Sequence, residues 1–393
     1  MRDGEYFHPT TFFFGRETES LIGREIKNIS DKVLLHYGQG SIKRIGLYDA
    51  IKDSLDDHNI EIIELGGVHS NPKDDLIYEG IGLCKKYDIQ FVLAVGGGSV
   101  IDSAKAICVG AHYDDDFVDF YSGKAVPKSA LGLGVVLTIP GSGSESTTGS
   151  VISCLKTQEK KVCDSTLMLP AFVIMNPDYT KTVSYFDTMC GIVDATSHIF
   201  ERYFTNVAHV DSTDRICEGL LATLIKYSTI IADDHDNLDN YDVRSEIMWA
   251  CKLAQDQTPG FGRHPDGGCH KIGHAIGSVY DDIPHGAIMG VIFLAWMKTT
   301  ISYNDSKLAQ LGERVFCVSG DTNYELASKA INEFSGFLKS INMPTSLQDI
   351  GICDDQYFSI IANKAITGMQ SKTVGNFVRL DVNNIHKLLH IAF

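Results

Sequence analysis

An α/β amino-terminal half followed by an all-helical carboxyl-terminal half is the fold class that three features of this sequence predict. Between Lys32 and Met175, short apolar runs alternate with longer amphipathic ones, the pattern of a parallel sheet covered by helices. Most of those runs are followed closely by Gly, Pro or Asn, the turn residues found at strand ends. Beyond Pro177 the segments lengthen, become apolar on one side and lose their prolines, so helices are expected there.

In chain order, the predicted strands are Val33–Tyr37, Glu61–Leu65, Phe91–Val95, Val135–Thr138 and Phe172–Met175, with a helix over Val100–Gly110. The predicted helices of the second half are Met189–Phe204, Asp214–Ile231, Asp242–Leu253 and His285–Ile301. In the first of these, Met189, Ile192, Val193, Ile199, Phe200 and Tyr203 recur largely at spacings of three and four and define a broad buried face. The domain boundary is expected near residues 178–187, dividing the chain into 1–182 and 183–393. Asp233–Asp242 reads as an acidic loop and Asp256–Gly268 as a Gly/Pro-rich one, and no internal repeat is visible.

Composition narrows the function. A chain of 393 residues has room for two adjoining cores. Its formal charge of -16 argues against nucleic acid or an anionic membrane as partner, because both attract Lys and Arg. No apolar run of about 18 residues occurs and Met1–Phe14 lacks the plan of a secretory signal, so a cytoplasmic protein is expected. The ten cysteines contain no Cys-x-x-Cys pair; most are expected to be buried thiols rather than zinc ligands or disulfide partners.

Three loops could hold a phosphate. Gly96-Gly97-Gly98-Ser99 joins a strand to a helix, where bare glycines admit a diphosphate to the backbone N–H groups and the helix N-terminus adds partial positive charge. Taken alone, the triplet fits a plain strand-to-helix turn with Ser99 as cap equally well. Thr138-Ile-Pro-Gly-Ser142-Gly-Ser144-Glu145 follows another strand and would add donors along the same sheet edge, which favours a nucleotide. The third loop, Tyr37-Gly38-Gln39-Gly40-Ser41-Ile42-Lys43, fails the G-x-G-x-x-G spacing because Lys43 stands at the third glycine, so a standard Rossmann domain is not supported. It carries no carboxylate for a ribose hydroxyl, yet Ser41 and Lys43 could receive a 2′-phosphate, which points to NADP with NAD still open. Lys43 and Arg44 as a solvated helix start is the alternative.

The second constellation suggests a metal. Asp194 and His198, four apart on a buried helix, project from one face. His270-Lys-Ile-Gly-His274 and His285 place three histidines in sixteen residues of mostly apolar sequence. Three imidazoles and a carboxylate suit a divalent metal such as Fe²⁺ or Zn²⁺. Each histidine alone is more commonly a partly buried, hydrogen-bonded residue than a ligand. Asp194 is harder to explain structurally, since a carboxylate on so apolar a helix costs several kcal/mol to bury without a positive partner. Lys271 follows His270 where a metalloprotease needs glutamate, which removes that reading, and His264 in the Gly/Pro loop reads as a surface residue.

With these motifs in order, the chain resembles the iron-containing (group III) alcohol dehydrogenases, in the branch of butanol-dehydrogenase-like, broad-substrate NADPH-dependent aldehyde reductases. The landmarks span nearly the whole chain: Tyr37-Gly-Gln-Gly-Ser-Ile-Lys43, Asn71-Pro72, Gly96-Gly-Gly-Ser99 with Asp102 and Lys105, Pro140-Gly-Ser-Gly-Ser-Glu145, Asp194-x-x-x-His198, and His270-x-x-x-His274 with His285. The resemblance implies a dehydroquinate synthase-like fold, an α/β nucleotide-binding domain and an all-helical domain with a catalytic cleft between them, and a homodimer. By position it assigns Asp194, His198, His270 and His285 as metal ligands and His274 as the histidine beside the nicotinamide. It assigns Gly38, Ser41, Gly97, Gly98, Ser99, Thr138, Ser142 and Lys160 to the cofactor, with Gly40, Asn71 and Asp102 in the same motifs. Gln39 and Ser142 depart from the branch's usual glycine and threonine, which leaves the cofactor preference open.

The implied reaction is hydride transfer between NAD(P)H and a short-chain aldehyde or alcohol such as butanal or butanol, with the metal as Lewis acid and His274 as proton relay. Rival readings are a polyol or glycerol dehydrogenase, a dehydroquinate-synthase-type lyase, which would need basic groups like Arg263 and Lys271 near the metal, and a non-catalytic regulator that kept the fold.

Overall fold

The computed structural model describes residues 1–157 and 159–393. These residues form two compact units: a helical unit of Met1–Tyr6, Ser184–Leu238 and Trp249–Phe393, and an α/β unit of Phe7–Val183 and Asp239–Met248.

The strands are β1 (Thr11–Phe14), β2 (Lys32–Tyr37), β3 (Glu61–Leu65), β4 (Phe91–Gly96), β5 (Gly132–Leu137), β6 (Gly149–Cys154), β7 (Glu159–Asp164) and β8 (Phe172–Met175). Six of them make one parallel sheet in the order β1-β8-β5-β4-β2-β3, with registers such as Leu34 opposite Val92 and Val95 opposite Val136. The helices of this half are α1 (Ile22–Lys27), α2 (Ser41–Arg44), α3 (Leu47–Asp56), α4 (Asp74–Tyr87), α5 (Gly98–Ala111) and α6 (Val118–Tyr121). Both faces of the sheet are covered, which is why the central strands read as continuous apolar runs. Successive residues serve opposite faces: Leu34, Val92, Val135 and Val173 enter one core with Ile77, Ile101 and Ile107. Val33, Leu35, Leu93, Val95, Val136 and Ile174 enter the other with Ile22, Ile51 and Leu55.

All five predicted strands are present, and three further ones are found. β1, four residues of mostly aromatic sequence, pairs with β8 at the sheet edge. β6 and β7 form an antiparallel hairpin apart from the main sheet; the partly buried alternate positions of β6 and the lysines of β7 conceal it.

The second half is α7 (Tyr185–Tyr203), α8 (Asp211–Asp233), α9 (Tyr241–Gln255), α10 (Gly268–Gly277), α11 (His285–Thr300), α12 (Ser306–Arg314), α13 (Asn323–Ser340), α14 (Phe358–Ile366) and α15 (Val382–Ala392). α7 begins four residues before its apolar periodicity does, because the Ser184 hydroxyl caps it by accepting from the Asp187 N–H at 3.0 Å. α9 starts in the α/β unit and ends in the helical one. All ten cysteines are free thiols, eight of them buried. No described helix is long and apolar enough to cross a membrane.

Candidate functional site

In the α/β unit the chain leaves β2 for β3 at the sheet edge, then returns past β2 to β4 and continues outward to β5. The direction of winding therefore reverses between β2 and β4, and the crevice at their carboxyl ends is where open α/β sheets receive ligands. Gly38, Gly40 and Ser41 follow β2, while Gly97, Gly98 and Ser99 follow β4, so two of the three loops read from sequence flank this reversal. α5 begins at Gly98 with Gly97 as its N-cap, so Ser99 lies within the first turn and is not the cap. The third loop joins them: the Thr138 N–H donates to the Gly96 carbonyl at 3.1 Å. A Cβ at Gly98 would stand 2.3 Å from the Ser142 Oγ, so the two loops touch only because residue 98 has no side chain.

Beneath these loops α5 sends two charged side chains inward. The fully buried Lys105 ammonium donates to the carbonyls of Ser144, Thr147 and Gly149 at 2.6, 2.7 and 2.7 Å, using all three of its hydrogens. Burial pulls it down to about 8, opposed by Asp102 and Glu145. Asp102 accepts from the Ser144 hydroxyl at 2.5 Å and the Val151 N–H at 3.1 Å, so its carboxylate is engaged with the same segment. Asn71 and Lys160 are brought together at 2.7 Å, Lys160 Nζ donating to Asn71 Oδ1 across the junction of the hairpin with the Asn71-Pro72 turn. Lys43 is exposed on α2, 3.5 Å from the Glu64 carboxylate, which also accepts from the hydroxyls of Tyr37 and Tyr48 at 2.8 and 2.6 Å.

The helical unit assembles the second constellation. Asp194 and His198 stand one turn apart on the buried face of α7, His270 lies in the first turn of α10, and His285 opens α11. α11 can deliver His285 because the next residue is Gly286: a Cβ there would lie 2.0 Å from the Cys190 carbonyl of α7. The Nε2 atoms of His198, His285 and His270 approach Asp194 Oδ1 to 3.6, 3.8 and 4.0 Å. Asp194, His270 and His285 have donor atoms within 4.8 Å of one another, and the His198 ring stacks on that of His270 with centroids 4.4 Å apart. His274, one turn beyond His270, is half-buried with its ring 5.3 Å from that of His285. His264 is exposed on the neighbouring loop.

A divalent cation fits this set. Asp194 is buried, and its Oδ1 has no hydrogen-bond partner among the described residues although three imidazoles face it. Burial raises its carboxyl to about 6, with His270 and Ser197 opposing only in part, so the site as built under-compensates the anion. Burial likewise holds His198 well below its ordinary value, so its imidazole is neutral and keeps a lone pair. The separations lie close to the ~3.4 Å between ligands of a tetrahedral shell with bonds of ~2.1 Å.

Two residues at this centre escape the sequence motifs. The buried Glu201 of α7 lies 2.9 Å from His270 Nδ1, and the Gln255 amide nitrogen lies 3.1 Å from His198 Nδ1. Glu201 continues the Asp194–His198 face at the next turn, a signal the sequence does carry; Gln255, at the end of α9, has none.

Sequence comparison places both halves in one family. The profile described as "Iron-containing alcohol dehydrogenase" matches residues 9–177, and that of the "Fe-containing alcohol dehydrogenase family, C-terminal" matches 188–393. The chain belongs to the iron-containing alcohol dehydrogenase family. Among its relatives, the probable NADH-dependent butanol dehydrogenase 1 of Bacillus subtilis is 40% identical over 99% of both chains. The NADPH-dependent aldehyde reductase YqhD of Escherichia coli is 31% identical over 95% of this chain and 96% of its own. The crystal structure of NADH-dependent butanol dehydrogenase A from Thermotoga maritima superposes with a TM-score of 0.95 at 35% identity, covering 100% of this chain and 99% of the other. As a member of this family of iron-containing alcohol dehydrogenases, the chain is an oxidoreductase.

Proposed function

We propose that this protein transfers a hydride between a nicotinamide dinucleotide and a short-chain aldehyde or alcohol, with butanal and butanol as representative substrates. The observation that carries the reading is the convergence of three imidazole nitrogens on the unpartnered, buried Asp194 Oδ1. The relatives named as butanol dehydrogenases and aldehyde reductases supply the substrate class. Asp194, His198, His270 and His285 hold the metal, either Fe²⁺ or Zn²⁺, since one oxygen and three nitrogens suit both. When bound, the metal supplies Lewis acidity to the carbonyl oxygen and the reduced nicotinamide supplies the hydride.

The chain's own residues do the remainder. Gly97, Gly98 and Ser99 present backbone N–H groups at the start of α5 to the dinucleotide's diphosphate, and Gly38, Gly40, Ser41, Thr138, Ser142, Asn71 and Lys160 line its course. Asp102, like Lys105, acts on this cradle by fixing the segment after Ser142. Choice between NADPH and NADH falls to Gln39, Ser41 and Lys43; the exposed Lys43–Glu64 contact is weak enough to open for a 2′-phosphate. An imidazole N–H of His274 donates the proton that the reduced product oxygen requires, and takes it back in the oxidative direction. A homodimer acting in the cytosol completes the reading.

The test follows loss of near-ultraviolet absorbance of NADPH and NADH with butanal, using metal-stripped protein and protein reloaded separately with Fe²⁺ and Zn²⁺. Turnover should return with metal and fall by about three orders of magnitude in His270→Ala, the scale of several kcal/mol of Lewis-acid stabilisation. Dinucleotide binding without turnover under every loading would refute it. A solution mass of a single chain would remove the dimer alone.

A further inference from the structure

We propose that Glu201 is a positioning residue for the metal centre: its carboxylate holds the His270 ring in the tautomer that leaves Nε2 bare. The inference rests on the metal reading of the preceding section and concerns a residue that is not itself a ligand.

Asp194, His198 and Glu201 occupy successive turns of one α7 face, but only the first two reach the donor cluster. Glu201 turns instead to the start of α10. Its Oε1 accepts from the His270 backbone N–H at 3.0 Å and lies 2.9 Å from His270 Nδ1, while Oε2 accepts from the Gly267 N–H. A carboxylate in this position only accepts, so Nδ1 must carry the hydrogen. The lone pair of the neutral ring is then confined to Nε2, the atom facing Asp194 Oδ1. Because the same carboxylate grips the backbone of residue 270, ring and main chain are fixed together. Ring rotation would forfeit a bond to a charged acceptor in a buried site.

Glutamine at this position is close in shape and opposite in consequence. If its amide nitrogen faced His270, it would donate to Nδ1 and force the hydrogen onto Nε2. If its oxygen faced His270, the nitrogen would confront the Gly267 N–H. An acceptor that merely capped α10 would leave metal affinity untouched.

Competition against a chromogenic chelator would measure Zn²⁺ and Co²⁺ affinity of the whole protein and of Glu201→Gln, alongside NADPH fluorescence titration and thermal unfolding of the metal-free forms. Metal affinity should fall 10- to 100-fold in the variant, with dinucleotide affinity unchanged. Affinity within twofold of the parent would overturn the assignment, whatever happens to the melting temperature. Should the variant not fold, ¹⁵N-histidine NMR of the unaltered protein decides: a protonated Nδ1 on His270, identified by its loss in His270→Asn, supports the role, and a bare Nδ1 overturns it. An unaltered protein that binds neither Zn²⁺ nor Co²⁺ would overturn the metal reading itself, an outcome distinct from a metal-binding parent with an indifferent variant.

Discussion

His36 shows how a single buried side chain ties β2, β3 and α5 together. It is buried on β2, with Nδ1 2.9 Å from the Leu65 carbonyl at the end of β3 and Nε2 2.8 Å from the Ser103 hydroxyl of α5. Burial lowers its imidazole to about 4, from about 6.5 in an unfolded chain, the Leu65 bond opposing only in part. As pH falls from 6.5 towards 4, the unfolded chain takes up the proton that the folded one refuses. Stability present above 6.5 is therefore lost across that window, at up to about 1.4 kcal/mol per pH unit and about 3 kcal/mol in all. Urea denaturation across this range should show a shallower pH dependence for His36→Gln than for the parent; parallel curves would discard the argument. Sequence conceals such residues unevenly. Asp194 announces itself because a carboxylate on an apolar helix demands an explanation, whereas Glu201, though its spacing puts it on the same face, shows what it holds only once α10 is seen lying against it.

At the scale of elements, the parallel strands were legible because burial on both faces leaves an unbroken apolar run, as in β4 and β8. β1 was not, being only four residues at an edge, and neither was the β6–β7 hairpin, where polar Ser150 is buried while Val151 and Val162 face outward, so the pattern of residue types does not follow burial. That hairpin and the segment before it depend on α5 through Lys105. Replacing Lys105 by Met removes three hydrogen bonds to carbonyls and leaves Asp102 with a carboxylate that has lost its nearest cation. Breaking a buried charge of this kind costs about 3–5 kcal/mol. The Lys105→Met protein should lose that much stability in denaturant and bind dinucleotide at least about tenfold more weakly, with its metal content unaltered. Equal dinucleotide affinity in parent and variant would show that the loop does not depend on its clamp.

For the molecule as a whole, the two-part character was visible in the change of texture after Pro177, while the strand order and its reversal between β2 and β4 were not. Order in a sheet depends on which strands pair, and hydrophobic patterning records only that a strand is buried. The loops proposed for the dinucleotide belong to one compact unit and the four residues proposed to hold the metal to the other. Stripping the metal should therefore change the NADPH dissociation constant by less than about fivefold, a coupling below 1 kcal/mol, when followed by nucleotide fluorescence. A larger loss would mean that the metal orders the nucleotide site.

The chain does not visit these units once each. Residues 1–6 belong with the helices, and 239–248 return to the α/β unit, where Tyr241 lies 3.7 Å beneath the Arg16 guanidinium, Arg244 donates to the Val183 carbonyl and Met248 joins the sheet's core. A gene exchange with a single crossover at residue 183 would thus hand the recipient a nucleotide-binding half missing one of its own pieces. Recombination that shuffles cofactor modules among such enzymes must cut on both sides of this ten-residue insert, or inherit Arg16, Val183 and Tyr241 from the same parent.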